Sequence, residues 1–327
     1  MLDVVGYSYK PHKYDYFKKT YPNTAMMGTE NVPRWYEWKA VIKREFIPGL
    51  FLWTGVDYMG ECRANDWPRK VTNHGPLDIA GFPRGSYYMF KALWRDDIPV
   101  ISMYTQTENK SIYKQDVKGN VVEKKKDYWK LAPREWQNVN PHWNYQKETK
   151  TIVEVYSNCE SVELFQNGKS LGVQYLKDQD DYTYKWAVDY KKGKLIAKGV
   201  KGRQTVTTSL QTVGKPVAIR LKADKIKVNA NNTDVIHVVA QLIDNNGRAV
   251  KNVDDEITFE IEGKHRFLGT DCGDTTKLTN FKGKTVPTAF GKCLLAIQAT
   301  KSASEVIVIA KGKDGKLMSK PLKITIE

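Results

Sequence analysis

Apolar positions follow two regimes along this chain. Up to about residue 97 they come as short continuous runs separated by stretches with helical spacing; beyond that they alternate with polar ones. Residues 3–9 (DVVGYSY), 24–29 (TAMMGT) and 49–54 (GLFLWT) are continuous runs, as expected of strands covered on both faces of a parallel sheet. Residues 12–20 predict a short polar helix with Tyr14 and Phe17 on one side. Residues 33–44 predict an amphipathic helix carrying Trp35, Trp38, Val41 and Ile42 at helical spacing. Pro33 opens it, because a missing N–H costs nothing in a first turn. A long loop rich in Gly, Pro, Asn and Trp fills 55–85, and 85–94 (GSYYMFKALW) predicts a last helix. The stretch 24–61 organises the rest. In parallel α/β folds the chemistry sits where strands end, so Glu30 and Trp53, each ending a strand, would share one rim.

These are three strand–helix units, about 95 residues, whereas an eight-unit barrel takes ~250. Three strands alone would leave an open edge. The expectation is a partial barrel, completed either by residues preceding Met1 or by another chain. From residue 151 short strands recur every eight to twelve residues, with Asn167-Gly168 as a hairpin turn. That pattern predicts an immunoglobulin-like sandwich, joined to the first part by a strand at 100–105 and a charged loop at 110–128. Gly214-Lys215-Pro216 reads as a linker to a second sandwich, with hairpins at Asn245-Asn246-Gly247 and Lys313-Asp314-Gly315. The predicted domains are therefore 1–97, 98–213 and 214–327.

Composition narrows the classes. With 41% apolar residues, 9 Trp and 18 Tyr, the chain is globular. No apolar run approaches the ~20 residues of a membrane helix, so no membrane partner is expected. Met1 leads straight into a strand pattern without a signal peptide, which reads as the tail of something longer. The net charge of +15 raises the question of nucleic acid, but the 52 Lys and Arg are scattered. The one tight run, Lys124-Lys125-Lys126, lies in a loop. Without a helix-turn-helix, zinc-finger or RNP motif, the charge reads as a solvated face and nucleic acid is not an expected partner. The four cysteines lack CxxC spacing, so neither a metal nor another cofactor is expected. Cys272 and Cys293 either pair or stay as buried thiols.

Several residues carry candidate chemistry, each with a plainer alternative. Glu30 is a strand-end carboxylate that also reads as a helix-start charge. Tyr9 and Trp53 end strands and also read as core. Asp57, Glu61, Trp67 and His74, on the loop beyond Trp53, are candidates for substrate contact or for structural roles. Trp129, Trp136, Trp143 and Trp186 are either sugar platforms or packing residues. For Trp186, alternating with Tyr184 and Val188, packing is favoured, as it is for Trp136 and Trp143.

The segments DVVGYSY, YPNTAMMGTE, GLFLWTGVDYMGE and GPLDIAGFPRGSYYMFKALW resemble the final barrel segments of glycoside hydrolase family 2, in its β-galactosidase-like members of the Bacteroides type. The resemblance covers most of residues 1–97 and continues into the β domains. GTDCGD is similar to a GxxNGD turn of the family, with Cys272 in place of Asn. The resemblance implies the C-terminal portion of a (β/α)8 TIM barrel, strands six to eight, followed by two immunoglobulin-like sandwiches. It further implies a retaining β-galactosidase or related β-glycosidase. Glu30 would be its nucleophile, Tyr9 a hydrogen-bond donor orienting that nucleophile, and Trp53 a wall of the sugar subsite. Asp57, Trp67 and His74 would be the further substrate contacts. Such enzymes use two carboxyl groups ~5–5.5 Å apart, and the acid/base glutamate of the family follows the fourth strand, which this chain does not match. The implied partners are a β-glycoside and either the remaining N-terminal part of the enzyme or a second copy. The implied location of the parent enzyme is the periplasm or the exterior. The alternative is a non-catalytic carbohydrate-binding or scaffolding module.

Overall fold

The structure, a computed structural model, describes residues 3–62, 67–125 and 136–327. The chain divides into two compact units. One comprises Met1–Glu61, Val71–Asn140 and Tyr145–Leu210; the other comprises Cys62–Lys70, Pro141–Asn144 and Gln211–Glu327. Most of the regular structure is strand.

The first unit begins with β1 (Val4–Ser8), α1 (Tyr14–Thr20), β2 (Ala25–Asn31), α2 (Trp35–Ile42), β3 (Leu50–Leu52) and α3 (Gly85–Trp94). The three strands form a parallel sheet in the order β1-β2-β3. The sheet is open; no closed barrel is present among the described residues. Its helix side is packed by Tyr14, Met26, Val41 and Ile47 in one apolar cluster. The predicted helix at 33–44 is shorter than its pattern, and its buried face is rotated: Glu37 and Val41 are buried while Ile42 is 52% exposed.

Antiparallel strands follow: β4 (Ile101–Thr107), β5 (Tyr113–Gln115), β6 (Val121–Glu123), β7 (Lys150–Ser157), β8 (Ser161–Gln166), β9 (Lys169–Tyr175), β10 (Thr183–Asp189), β11 (Lys194–Lys201) and β12 (Gln204–Gln211). They make sheets ordered β10-β7-β4 and β12-β11-β8-β9, plus the small ribbon β5-β6. The two larger sheets face each other. A Cβ on Gly199 of β11 would come within 3.2 Å of Ile101 Cδ1 of β4, so only glycine lets them approach this closely. Residues 110–128, read from sequence as loop, contain the β5-β6 ribbon. Its turn is held by Asp116, whose carboxylate accepts the N–H groups of Lys118 and Asn120. Trp186 is buried and stacks on Tyr184. Trp136 packs with Met89 and Phe90 of α3, Tyr104 of β4 and Tyr156 of β7, so it joins the last helix to the first antiparallel sheet. Trp129 and Lys126 lie outside the described residues.

A polar relay runs through the same unit. Arg34, before α2, donates to Gln137 at 3.1 Å; Gln137 donates to Glu154 of β7 at 3.2 Å; and Tyr156 donates to the same carboxylate at 3.0 Å. Glu154 is 1% exposed, and burial pushes its carboxyl up from the ordinary range.

The second unit holds β13 (Ala218–Ala223), β14 (Lys227–Val228), β15 (Val235–Ile243), β16 (Glu256–Glu262), β17 (Arg266–Asp271), β18 (Thr285–Pro287), β19 (Lys292–Gln298), β20 (Ser304–Gly312) and β21 (Leu322–Ile326). Two sheets, β13-β15-β19-β17 and β14-β21-β20-β16-β18, enclose one apolar core. Ile236, Val238, Ala240 and Leu242 point in from β15 and meet Phe259, Val306, Val308 and Ala310 from the other sheet. The alternation along β15 is the period-2 pattern read in the sequence. Two peripheral segments join this unit. Lys70 pairs with Asp271 at 2.9 Å, both side chains nearly buried. Asn144 exchanges two hydrogen bonds with the Val213 backbone, and Trp143 beside it is fully buried. All four cysteines are free. Burial pushes the Cys272 thiol up to about 11 and raises that of Cys293 as well.

Candidate active site

Tyr9, Glu30 and Trp53 lie at or next to the ends of adjacent parallel strands. Tyr9, just past β1, donates its backbone N–H to the Glu30 carbonyl at 2.7 Å. Trp53, just past β3, donates its own to the Asn31 carbonyl at 2.8 Å. Glu30 therefore sits in the central strand, flanked on one side by Tyr9 and on the other by Trp53, and it is half-buried. It is also the one carboxylate among the residues of β1, β2 and β3. The pattern had put Glu30 after a strand ending at residue 29, but the structure extends β2 through Asn31. Tyr9 has a φ of 55°, a left-handed conformation that costs a non-glycine residue ~1–2 kcal/mol and ends the strand abruptly.

The pairing of β2 is irregular on both sides. Tyr7 pairs with Gly28 but Ser8 with Glu30; Gly28 pairs with Leu50 but Asn31 with Leu52. Each side leaves one extra residue in β2, a bulge immediately before the carboxylate. Asn31 is fully buried, and its amide donates to Glu37 of α2 at 2.5 Å. Burial is the main reason the Glu37 carboxyl is raised, opposed by the hydrogen bonds from Asn31 and Tyr36. Sequence reasoning passed over Asn31 and Glu37. The available signal was a charged residue on the same helix face as Val41.

The loop after Trp53 is built from two small constructions. In the first, Trp53 Nε1 donates to the Tyr58 hydroxyl at 3.0 Å, and that hydroxyl donates to Glu61 at 2.5 Å. Tyr58 also meets the Trp53 ring edge-on at 5.9 Å. The indole is thus fixed in orientation while remaining half-buried. The Trp53–Thr54 peptide is cis. In the second, Asp57 turns inward with its side chain fully buried. It accepts the N–H groups of His74 at 3.1 Å and Gly75 at 2.7 Å, and pairs with Arg84 at 2.5 Å. Asp57 therefore ties the loop to the start of α3, and His74, 7% exposed, is held beside it. Asp78 closes the next turn by accepting from Ala80 and Phe82, both at 2.9 Å, and Gly81 takes the left-handed conformation there, with φ 78°. Trp67 belongs to the second unit. It is 75% exposed.

At this end of the sheet the residue of β2 that carries the carboxylate lies between a tyrosine and a tryptophan whose indole is held by Tyr58. Comparison with known proteins gives the class. A model of the glycoside hydrolase family 2 C-terminal domain 5 matches residues 219–319, and one of a domain of unknown function, DUF4982, matches residues 148–207. The chain belongs with the C-terminal part of glycoside hydrolase family 2 enzymes.

Among individual relatives, it is 30% identical over 263 residues to the β-galactosidase BoGH2A of Bacteroides ovatus, covering 80% of this chain and 26% of that protein. It is 23% identical over 293 residues to a β-glucuronidase of Formosa agariphila, covering 88% of this chain and 25% of that one. A solved glycosyl hydrolase family 2 member from Bacteroides cellulosilyticus superposes with a TM-score of 0.85 at 29% identity, over 100% of this chain and 42% of the other. A β-glycosidase structure from Bacteroides vulgatus shares the fold, with a TM-score of 0.79 at 22% identity, over 100% of this chain and 45% of the other. The chain thus spans about a quarter of the length of the curated relatives it matches.

Proposed function

We propose that this chain supplies the nucleophile half of a retaining β-glycosidase acting on terminal β-galactosides or related β-glycosides. The observation that carries this reading is Glu30 in the central strand with Tyr9 and Trp53 bonded to its two sides. A retaining enzyme needs a rigidly held carboxylate to attack the anomeric carbon and form a glycosyl-enzyme. Glu30 is that group. Tyr9, bonded to the Glu30 carbonyl through its own backbone, would orient that nucleophile with a hydrogen bond from its phenol. Trp53, its indole fixed by Tyr58, offers a flat apolar face for the C–H side of a pyranose. Trp67 and His74 are second-rank candidates for substrate contact. Asp57 acts on the site through the loop it anchors. The three strand–helix units are the last part of a (β/α)8 barrel, and the two antiparallel regions are immunoglobulin-like sandwiches.

A second reading is supported by one fact: β1, β2 and β3 bring a single carboxylate to the rim. On that count residues 1–327 alone bind or scaffold without turnover, and the acid/base comes from elsewhere.

The test uses the full-length gene product that carries these residues, assayed with chromogenic β-galactoside, β-glucoside, β-mannoside and β-glucuronide. One of these is hydrolysed, Glu30→Ala abolishes the hydrolysis, and added azide restores it while yielding a glycosyl azide of inverted anomeric configuration. Failure to hydrolyse any of them, or full activity in Glu30→Ala, overturns the proposal. Residues 1–327 alone show no turnover.

A further inference from the structure

The bulge in β2 decides which of two neighbouring side chains faces the helices. Along a regular strand, successive side chains alternate. Met26 and Gly28 are buried on the helix side of the sheet, Met26 in the cluster with Tyr14 and Val41. Regular alternation would send Glu30 to that same side, into an apolar layer. The extra residue in β2, seen in its pairing with both neighbours, moves the phase by one. Asn31 takes the helix side, fully buried, and by alternation Glu30, half-buried, falls to the other.

What holds the bulge is visible. Asn31 donates to Glu37 at 2.5 Å. The Tyr14 hydroxyl lies beside the Asn31 side chain, and Glu37 also hydrogen-bonds Tyr36. Gly28 leaves the space this requires: a Cβ there would come within 2.7 Å of the Tyr14 hydroxyl and closer still to Asn31. The Asn31 carbonyl, meanwhile, accepts from Trp53 at 2.8 Å. One buried amide therefore fixes the strand to α2 through its side chain and to the residue after β3 through its backbone.

We propose that Asn31 and Glu37, with Gly28 and Tyr14 shaping their pocket, are positioning residues that aim the Glu30 carboxylate out of the helix layer. Glu37 acts through Asn31 and touches no substrate. This inference rests on the reading of Glu30 as nucleophile. Its physical warrant is that reacting atoms displaced by about 1 Å cost on the order of 10²-fold in rate.

The test compares Asn31→Ala, Glu37→Leu and Glu37→Gln in the full-length gene product, on whichever chromogenic β-glycoside it hydrolyses. Asn31→Ala and Glu37→Leu lower kcat by roughly 10- to 100-fold with KM within about twofold, because the sugar subsite is intact and only the attack geometry is lost. Glu37→Gln keeps an acceptor for the Asn31 amide and recovers most of that loss. If Glu37→Leu does not fold, Asn31→Ala carries the test with Glu37→Gln as its control. Unchanged kcat in Asn31→Ala, a fall confined to KM, or Glu37→Gln as impaired as Glu37→Leu, overturns the proposal. The two readings separate cleanly. An active Glu30→Ala sinks the nucleophile assignment, whereas an inactive, azide-rescued Glu30→Ala beside a fully active Asn31→Ala sinks only the positioning role.

Discussion

The parallel sheet and the C-terminal sandwich are built on opposite economies. The sandwich closes on itself, with Phe259, Leu295, Ile297, Val306 and Val308 in one apolar core and β19 and β20 alternating in phase. The parallel sheet admits polar groups to its apolar helix side: Asn31 and Glu37 are buried along with Met26 and Val41, while Val4 of β1 is 52% exposed and Phe51 of β3 60%. A buried, paired amide and carboxylate contribute little to stability relative to apolar packing. They fix a conformation instead. The contrast shows where the fold spends stability on geometry, and it does so beneath the one rim carboxylate of β1, β2 and β3.

The largest expected effect breaks the chemistry and leaves the fold alone. Glu30→Gln in the full-length gene product lowers glycoside turnover by at least ~10⁴-fold with a melting temperature within a degree or two, measured by chromogenic assay and calorimetry. Next, Phe259→Ala opens a cavity in the sandwich and costs ~3–5 kcal/mol. Denaturant unfolding should show this as loss of the C-terminal transition while the signal from the first unit is retained. Gly28→Ala is smaller, at ~1–3 kcal/mol, because Tyr14 and Asn31 must shift to admit a methyl group; it should also reduce kcat, which Phe259→Ala should not.

Glu37→Gln sharpens the comparison through pH. Burial raises the folded Glu37 carboxyl above its ordinary value of 4.5. Below that value the side chain is protonated in both folded and unfolded chains, and the variant and wild type are equally stable on this account. As pH rises past it toward neutral, the unfolded chain ionises more readily, so the wild type loses stability relative to Glu37→Gln. Calorimetry between pH 4 and 8 should show the gap widening in the variant's favour. The smallest effect is the control: Lys323→Ala removes an exposed pair with Glu305 and costs ~0–1 kcal/mol.

The sequence carries the large pattern because hydrophobic period and turn chemistry are local. The last helix, 85–94, is found at the predicted bounds, and the inward set Tyr184, Trp186, Val188 is buried as alternation requires. What it hides is a one-residue phase change. A bulge leaves the composition of a strand unaltered, so a pattern that ends at residue 29 gives no sign that β2 continues to Asn31 with its faces exchanged. Glu37 is hidden for a related reason. A charged residue in a first helical turn looks solvated, and the large side chains at Trp35 and Ile42 draw the apolar face away from it. Asp57 had a legible type and position, but whether its carboxylate faced substrate or Arg84 depended on a contact 27 residues along the chain.

The most direct measurement is to trap the intermediate. Incubating the full-length gene product with a 2-deoxy-2-fluoro-β-glycoside of the sugar it hydrolyses should add one fluorosugar per chain. Peptide mass mapping should then place that label on Glu30. A label on any other carboxylate, or continued turnover with no covalent adduct, would contradict the assignment of this strand-end glutamate as the attacking group.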